Sequence, residues 1–204
     1  MKKLFVWMLS ATLCVSLAAC AGKTPSAPAD ATPESAENAS DAITTAYQDK
    51  VAELEAESGE TLSWVQFACG TGEKILVVTK ESSVYGDGET MEADVYQYAD
   101  EEVKFIASVS STGTAYPLAY TKEAVLFGGN HTAGKLVIHD GTGELYQLVN
   151  MNIEGKTPVL ETYDVAGGEQ TLKSSEELSP EEENSFDYYT NAFADEQAEV
   201  IGFQ

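Results

Sequence analysis

The sequence predicts a mainly β protein (α+β): an antiparallel β-meander flanked by an N-terminal and a C-terminal helix. Three observations carry this. From Leu62 onward, short apolar or alternating runs recur between turn signals at a spacing of roughly 8–16 residues, the pattern of antiparallel strands. No helix-length periodic segment interrupts them, and parallel strands would need such crossovers. On either side the period becomes helical, once from Ile43 and again after Ser179.

The N-terminus stands apart from that fold. Lys2 and Lys3 precede an apolar run from Leu4 to Leu17, broken only by Ser10, Thr12 and Ser16, and Ala18 and Ala19 precede Cys20. A positive start, a short apolar centre and small residues before a cleavage point predict a secretory signal peptide over 1–19. The run is too short for a convincing spanning helix. Its end, Leu17-Ala18-Ala19-Cys20, resembles the lipobox of bacterial lipoproteins. The resemblance implies a diacylglyceryl group on the Cys20 thiol, cleavage just before it, and a lipid-anchored protein on the extracytoplasmic face of the cell membrane. One acyl chain holds only reversibly, at about 0.8 kcal/mol per buried methylene, so two chains on one thioether should hold firmly. An ordinary secreted protein with a chance cysteine is the competing reading.

Residues 21–40 contain Pro, Ser, Thr, Ala and short polar residues but no large apolar side chain. Such a segment buries too little surface to offset its ordering entropy, so 20–40 reads as a lipidated cysteine and a disordered tether. As a flexible coil it would reach on the order of 25 Å. The remainder, 41–204, reads as a single mainly β domain with terminal helices.

Asp41 can cap a helix running to about Ser58, with Ile43, Tyr47, Val51 and Leu54 on one stripe and Gly59 as the stop. The strands follow. Ile75-Leu76-Val77-Val78 is apolar on both faces and should be central. Val103, Phe105, Ala107 and Val109 alternate with Lys104 and Ser108, which predicts one wet face. Further strands are expected over 94–98, 115–120, 124–127, 135–139, 144–151 and 158–165. In Ser179-Pro180-Glu181-Glu182, Ser179 can cap, Pro180 suits the first helical position and Glu182 can complete a capping box. Phe186, Tyr189 and Phe193 make the apolar stripe of that helix, and residues 199–203 can form a short edge strand.

Charge narrows the partners. The formal net charge is -23, and all eleven basic residues are lysine. Nucleic acid binding needs cations against phosphate, and base readout leans on arginine, so that class is excluded. The same charge repels anionic headgroups and wall polymers, so a charged partner should be cationic or metal-bridged. Solubility alone also accounts for it. Of the three cysteines, Cys14 leaves with the signal and Cys20 is lipidated, so only Cys69 remains and no internal disulfide can form. Val65, Phe67 and Cys69 share one face of a period-two pattern, which makes Cys69 a buried apolar residue.

The order of elements, from lipobox and tether through helix and strand meander to a late Ser-Pro-Glu-Glu helix, resembles the surface lipoproteins of gut Firmicutes, a group with no assigned activity. Members often carry an Asp-x-Asp-Gly-Asp-Gly loop, thought to bind calcium, before an apolar strand. The matching stretch here, Gln66 to Gly72 before Ile75, lacks those acids, and calcium needs several hard oxygen ligands, so this position should not bind it. The resemblance implies fold and address only.

No motif announces chemistry. His131 and His139 are the only histidines, and a zinc site would want three or four ligands at suitable spacing. The acidic loops at Gly86-Asp87-Gly88-Glu89 with Glu92 and Asp94, and at Asp140-Gly141-Thr142-Gly143-Glu144, lack calcium-hand spacing, and turn chemistry accounts for their Asp-Gly pairs in preference to an ion site. No cofactor or metal is implied and no catalytic residue is assigned. Tyr96 and Tyr98 share one strand face, and an exposed row of rings could stack on sugars or on a peptide; core packing is the competing reading. The expected function is therefore a membrane-anchored, non-catalytic binding module of the cell envelope, with a protein or glycan partner. A carboxylate-based hydrolase of wall or dietary polymer, or a structural accessory of an envelope complex, is the alternative.

Overall fold

The computed structural model describes residues 33–203; the signal segment, Cys20 and tether residues 21–32 lie outside the described residues. In chain order the elements are α1 (Pro33–Ser58), β1 (Leu62–Ala68), β2 (Lys74–Lys80), β3 (Glu92–Ala99), β4 (Glu102–Ser110), β5 (Ala119–Tyr120), β6 (Ala124–Gly128), β7 (Thr132–His139), β8 (Thr142–Val149), β9 (Val159–Ala166), β10 (Glu169–Glu177), α2 (Pro180–Ser185), α3 (Tyr188–Ala194) and β11 (Glu199–Val200). The strands form two sheets, ordered β1-β2-β3-β4 and β10-β9-β8-β7-β6-β5-β11, with every ladder antiparallel. The mainly β class and the flanking helices are as the sequence predicts.

The sheets stack face to face. Ile75, Val77, Val95 and Ile106 of the first sheet meet Val125, Leu136, Ile138 and Leu145 of the second in one buried cluster. The helices cover the two outer faces. On the first sheet, Tyr47 and Val51 of α1 pack on Leu76, Val78 and Tyr96. On the second, Tyr189 of α3 packs on Ala119, Ala124 and Leu126, while Phe186 and Tyr188 pack beside Leu148 and Leu160. The molecule is thus four layers deep, and β2 shows why: five consecutive residues, from Ile75 to Thr79, are buried. A strand with apolar residues on both faces needs a covering layer on each.

Helix α1 begins at Pro33 rather than at Asp41, so its first two turns take in 33–40, a stretch whose composition reads as tether. Proline is tolerated at the first helical position because its missing N–H would find no partner there, and the alanines and glutamates that follow are strong helix formers. The Ile43-Tyr47-Val51-Leu54 stripe faces the sheet as expected.

Strand β4 departs from its predicted single wet face. The ladder slips between Val95 and Tyr96, which pair with Ala107 and Phe105 and leave Ile106 as an extra residue. A bulge of this kind turns consecutive side chains to one side. Val103 and Phe105 therefore pack toward α1, whereas Ile106, Ala107 and Val109 face the inter-sheet core.

Strand β10 escapes sequence patterning. All nine of its residues are exposed, Leu172 included, so no face carries an apolar signal. It exists because Gly167 and Gly168, at φ 59° and 81°, fold it back onto β9 in a two-residue hairpin. It forms one edge of the larger sheet. Residues 115–118, expected in a strand, run as an irregular approach to the two-residue β5.

The capping box forms as read: the Ser179 hydroxyl accepts from the Glu182 N–H, and the Glu182 carboxylate accepts from the Ser179 N–H at 2.8 Å. The expected helix is nevertheless two. Phe186 closes α2, and the Asp187 carboxylate, accepting from Thr190 N at 3.1 Å, starts α3 in a new direction. The Phe186-Tyr189-Phe193 stripe is divided accordingly, with Tyr189 buried and Phe193 exposed. After α3, β11 pairs with β5, and Ile201 and Phe203 enter the core between the sheets. Phe203 N donates to the Gly88 carbonyl at 2.8 Å, and a Cβ on Gly88 would stand 2.3 Å from the Phe203 oxygen. Close backbone approach therefore accounts for the glycine in that acidic loop.

One buried hydroxyl pins α1 to its sheet. Tyr47 Oη donates to the Lys74 carbonyl at 2.6 Å and accepts from Tyr98 N at 3.0 Å, touching the start of β2 and the end of β3. Replacing Tyr47 by Phe keeps the ring and leaves both backbone groups without this partner. Tyr47→Phe should lower stability by about 1–3 kcal/mol in urea unfolding monitored by circular dichroism.

Candidate functional site

Helix α1 covers only part of the outer face of the first sheet. It stops at Ser58, where Gly59, at φ 69°, donates to the Glu55 carbonyl at 2.8 Å, and the chain drops directly into β1. Beside this terminus the sheet lies open. The result is a cleft of about 480 Å³ between the last turn of α1 and strands β1 to β4. That size falls within the roughly 300–1,000 Å³ range of small-molecule sites. Cavities of about 250 Å³ near Asp164 and Thr171, and about 160 Å³ beneath α3, are smaller.

Strand alternation decides what lines the cleft. Trp64, Val78, Asp94 and Ser108 are successive cross-strand neighbours, and all four point to the α1 side. The floor comes from Leu54, Leu62, Val78 and Tyr96 with Ser108 and Ser110 of β4, and the rim holds Glu60, Lys80, Glu92 and Asp94. Lys80 Nζ lies 2.7 Å from Glu60 Oε2, and this contact, with Glu92 nearby, raises the Lys80 pKa. Asp94 Oδ1 accepts from the Ser108 hydroxyl at 2.5 Å, and Glu92 Oε1 accepts from Ser83 at 2.9 Å. Among the described residues neither Glu92 nor Asp94 takes part in an ion pair.

Tyr96 joins floor and rim. Burial, and then Asp94, Glu53 and Glu57, push its phenol up to about 12. The cleft combines a largely apolar floor with an acidic rim and one already paired cation.

The sequence-derived candidates fall differently. Tyr96 and Tyr98 do lie on one strand face, but α1 covers it: Tyr96 is 5% exposed and packs on Phe105 at 5.2 Å, and Tyr98 is half-buried. They form no exposed row of rings, because the apolar stripe of α1 needs that same surface. Only Tyr96 reaches the cleft. Tyr116 packs edge-on against Tyr189 at 5.5 Å, and Tyr120 lies 4.1 Å from Phe67 and donates to Glu199. Cys69 is buried between the sheets, and burial pushes its thiol up to about 11, so it is protonated and unreactive at neutral pH. His131 Nδ1 pairs with the Met151 carbonyl at 2.8 Å, and His139 is exposed at the end of β7. Among the described residues, no three His, Cys, Asp or Glu side chains gather as metal ligands do, and no helix is long and apolar enough to cross a membrane. Cys20 lies outside the described residues.

Sequence reasoning used Leu54 only as helix packing and passed over Lys80. The available signal was modest: Leu76-Val78-Lys80 and Asp94-Tyr96 each place polar and apolar residues on one strand face. No family model, curated protein or solved structure matches the chain.

The buried phenols set an alkaline limit. Tyr47, Tyr96 and Tyr189 each have a folded pKa of about 12 against 10 when unfolded, so the folded state favours their neutral form. Their contribution is complete below pH 10 and is lost as pH rises from 10 through 12. Tyrosinate absorbance and circular dichroism should change together above pH 10, and Tyr96→Phe should move that transition upward.

Proposed function

We propose that this chain is a membrane-anchored, non-catalytic binding module on the extracytoplasmic face of a cell, held by acyl chains on Cys20, with the cleft beside the end of α1 as its binding site. The observation that carries the binding reading is the cleft itself. It is small-molecule-sized, its floor is apolar but for Ser108 and Ser110, and its charged groups are confined to the rim, a layout that suits a recognition site. Hydrolysis by a carboxylate pair would need one acid desolvated enough to stay protonated. Glu92 is exposed and Asp94 is hydrogen-bonded to Ser108, so neither has the dry surroundings that role needs. The partner is a ligand of the envelope or its surroundings, and the helix that walls the cleft is the element that follows the tether in the chain.

Two measurements test this. Cys20→Ser should move the native protein from the detergent phase to the aqueous phase in Triton X-114 separation; equal partitioning with wild type would remove the anchor. Ser58→Trp places a large ring at the exposed mouth of the cleft. It should abolish capture of envelope material by the immobilised full chain while leaving thermal unfolding nearly unchanged. Capture that ignores this substitution would place binding elsewhere.

A further inference from the structure

Resting on that reading of the cleft, we propose that its ligand is a small aliphatic polyamine: protonated amines carried on a methylene chain. The floor offers Leu54, Leu62 and Val78, aliphatic surface suited to a hydrocarbon stem. The rim offers Glu92 and Asp94, which alternate along β3 and so stand on one face. An ammonium entering there meets the two β3 carboxylates while its stem lies on the floor. The one lysine of the rim is paired with Glu60, so the rim with Glu92 and Asp94 stays net negative. The chain as a whole, at net charge -23, adds long-range attraction for cations.

Other ligand classes fit less well. An anion would face the rim carboxylates. A divalent metal needs several converging ligands, and among the described residues no three His, Cys, Asp or Glu side chains gather so. A sugar is usually held on an open aromatic face, whereas the Tyr96 ring is 5% exposed and packed on Phe105. A peptide needs a longer track than a cleft of about 480 Å³ beside one helix end.

The test is calorimetric titration of the full chain in neutral detergent with 1,5-diaminopentane, 1,5-pentanediol and glutarate, which share a five-carbon chain and differ in charge. The diamine should bind, with the diol and the dianion at least about tenfold weaker. Asp94→Asn and Glu92→Gln keep size and hydrogen-bonding capacity, and each should weaken the diamine about three- to tenfold with thermal unfolding unchanged. Glu154→Gln, in the β8–β9 loop, should have no effect and so exposes mere attraction to an acidic surface. Affinity should fall with added salt. The proposal is overturned if the diol binds as well as the diamine, if Asp94→Asn and Glu92→Gln leave diamine affinity unaltered, or if a trilysine peptide binds more tightly than the diamine. Failure here with capture of envelope material still abolished by Ser58→Trp defeats the polyamine assignment alone. Capture that persists in Ser58→Trp defeats the cleft reading on which it rests.

Discussion

The tyrosine hydroxyl beneath α1 fixes the geometry on which everything outside the sandwich depends. A helix lying on a sheet by apolar contact alone can slide, because hydrophobic attraction has no direction. Tyr47 supplies direction. Its oxygen reaches the β2 backbone at Lys74 and the β3 backbone at Tyr98, two strands that are adjacent in the sheet. Both bonds are part-buried, and the Tyr47 side chain itself is fully buried, so leaving them unmade is costly. The axial position of α1 is thereby set, and with it the point where the helix ends and the sheet is left open.

The first sheet bears two demands at once. One face must pack on the second sheet and the other on α1, and β2 meets both with an unbroken apolar run. Strand β4 meets them with the bulge at Ile106, which lets Val103 and Phe105 serve the helix while Ala107 and Val109 serve the core. Past that bulge the outer-facing positions of β4 are Ser108 and Ser110, too small and polar to support a helix. The cleft opens over these serines. Its existence follows from a change of strand phase as much as from the length of α1.

Much of this fold was legible because its signals are local. The two-faced run from Ile75 to Val78, the helical stripe ending at Leu54 and the capping box at Ser179 each declare themselves within a few residues. What was hidden has a physical reason in each case. β10 has no buried face and is held by main-chain bonds to β9, which composition does not record. The bulge in β4 was masked because Val103, Phe105, Ala107 and Val109 alternate without interruption in sequence; only the apolar Ile106 between them hinted at a slip. The break at Asp187 turns on a cap that competes with a helix able to continue. The cleft was least legible, since Leu54, Leu62, Val78 and Asp94 come from four elements that only tertiary packing assembles. Tyr96 and Tyr98 were correctly placed on one face, but the sequence does not say that α1 occupies it.

The bare outer rim of the larger sheet has a consequence for crowds of this molecule. Among the described residues, β10 has no neighbouring strand on one side of its backbone, a shape that invites another copy to zip on. Yet it carries Glu169, Glu176 and Glu177 against the single Lys173, which already reaches to Glu144 and Asp164 on neighbouring strands. Two such rims brought together would set carboxylate against carboxylate. Copies gathered densely in one plane would therefore glide past each other instead of seeding a fibre.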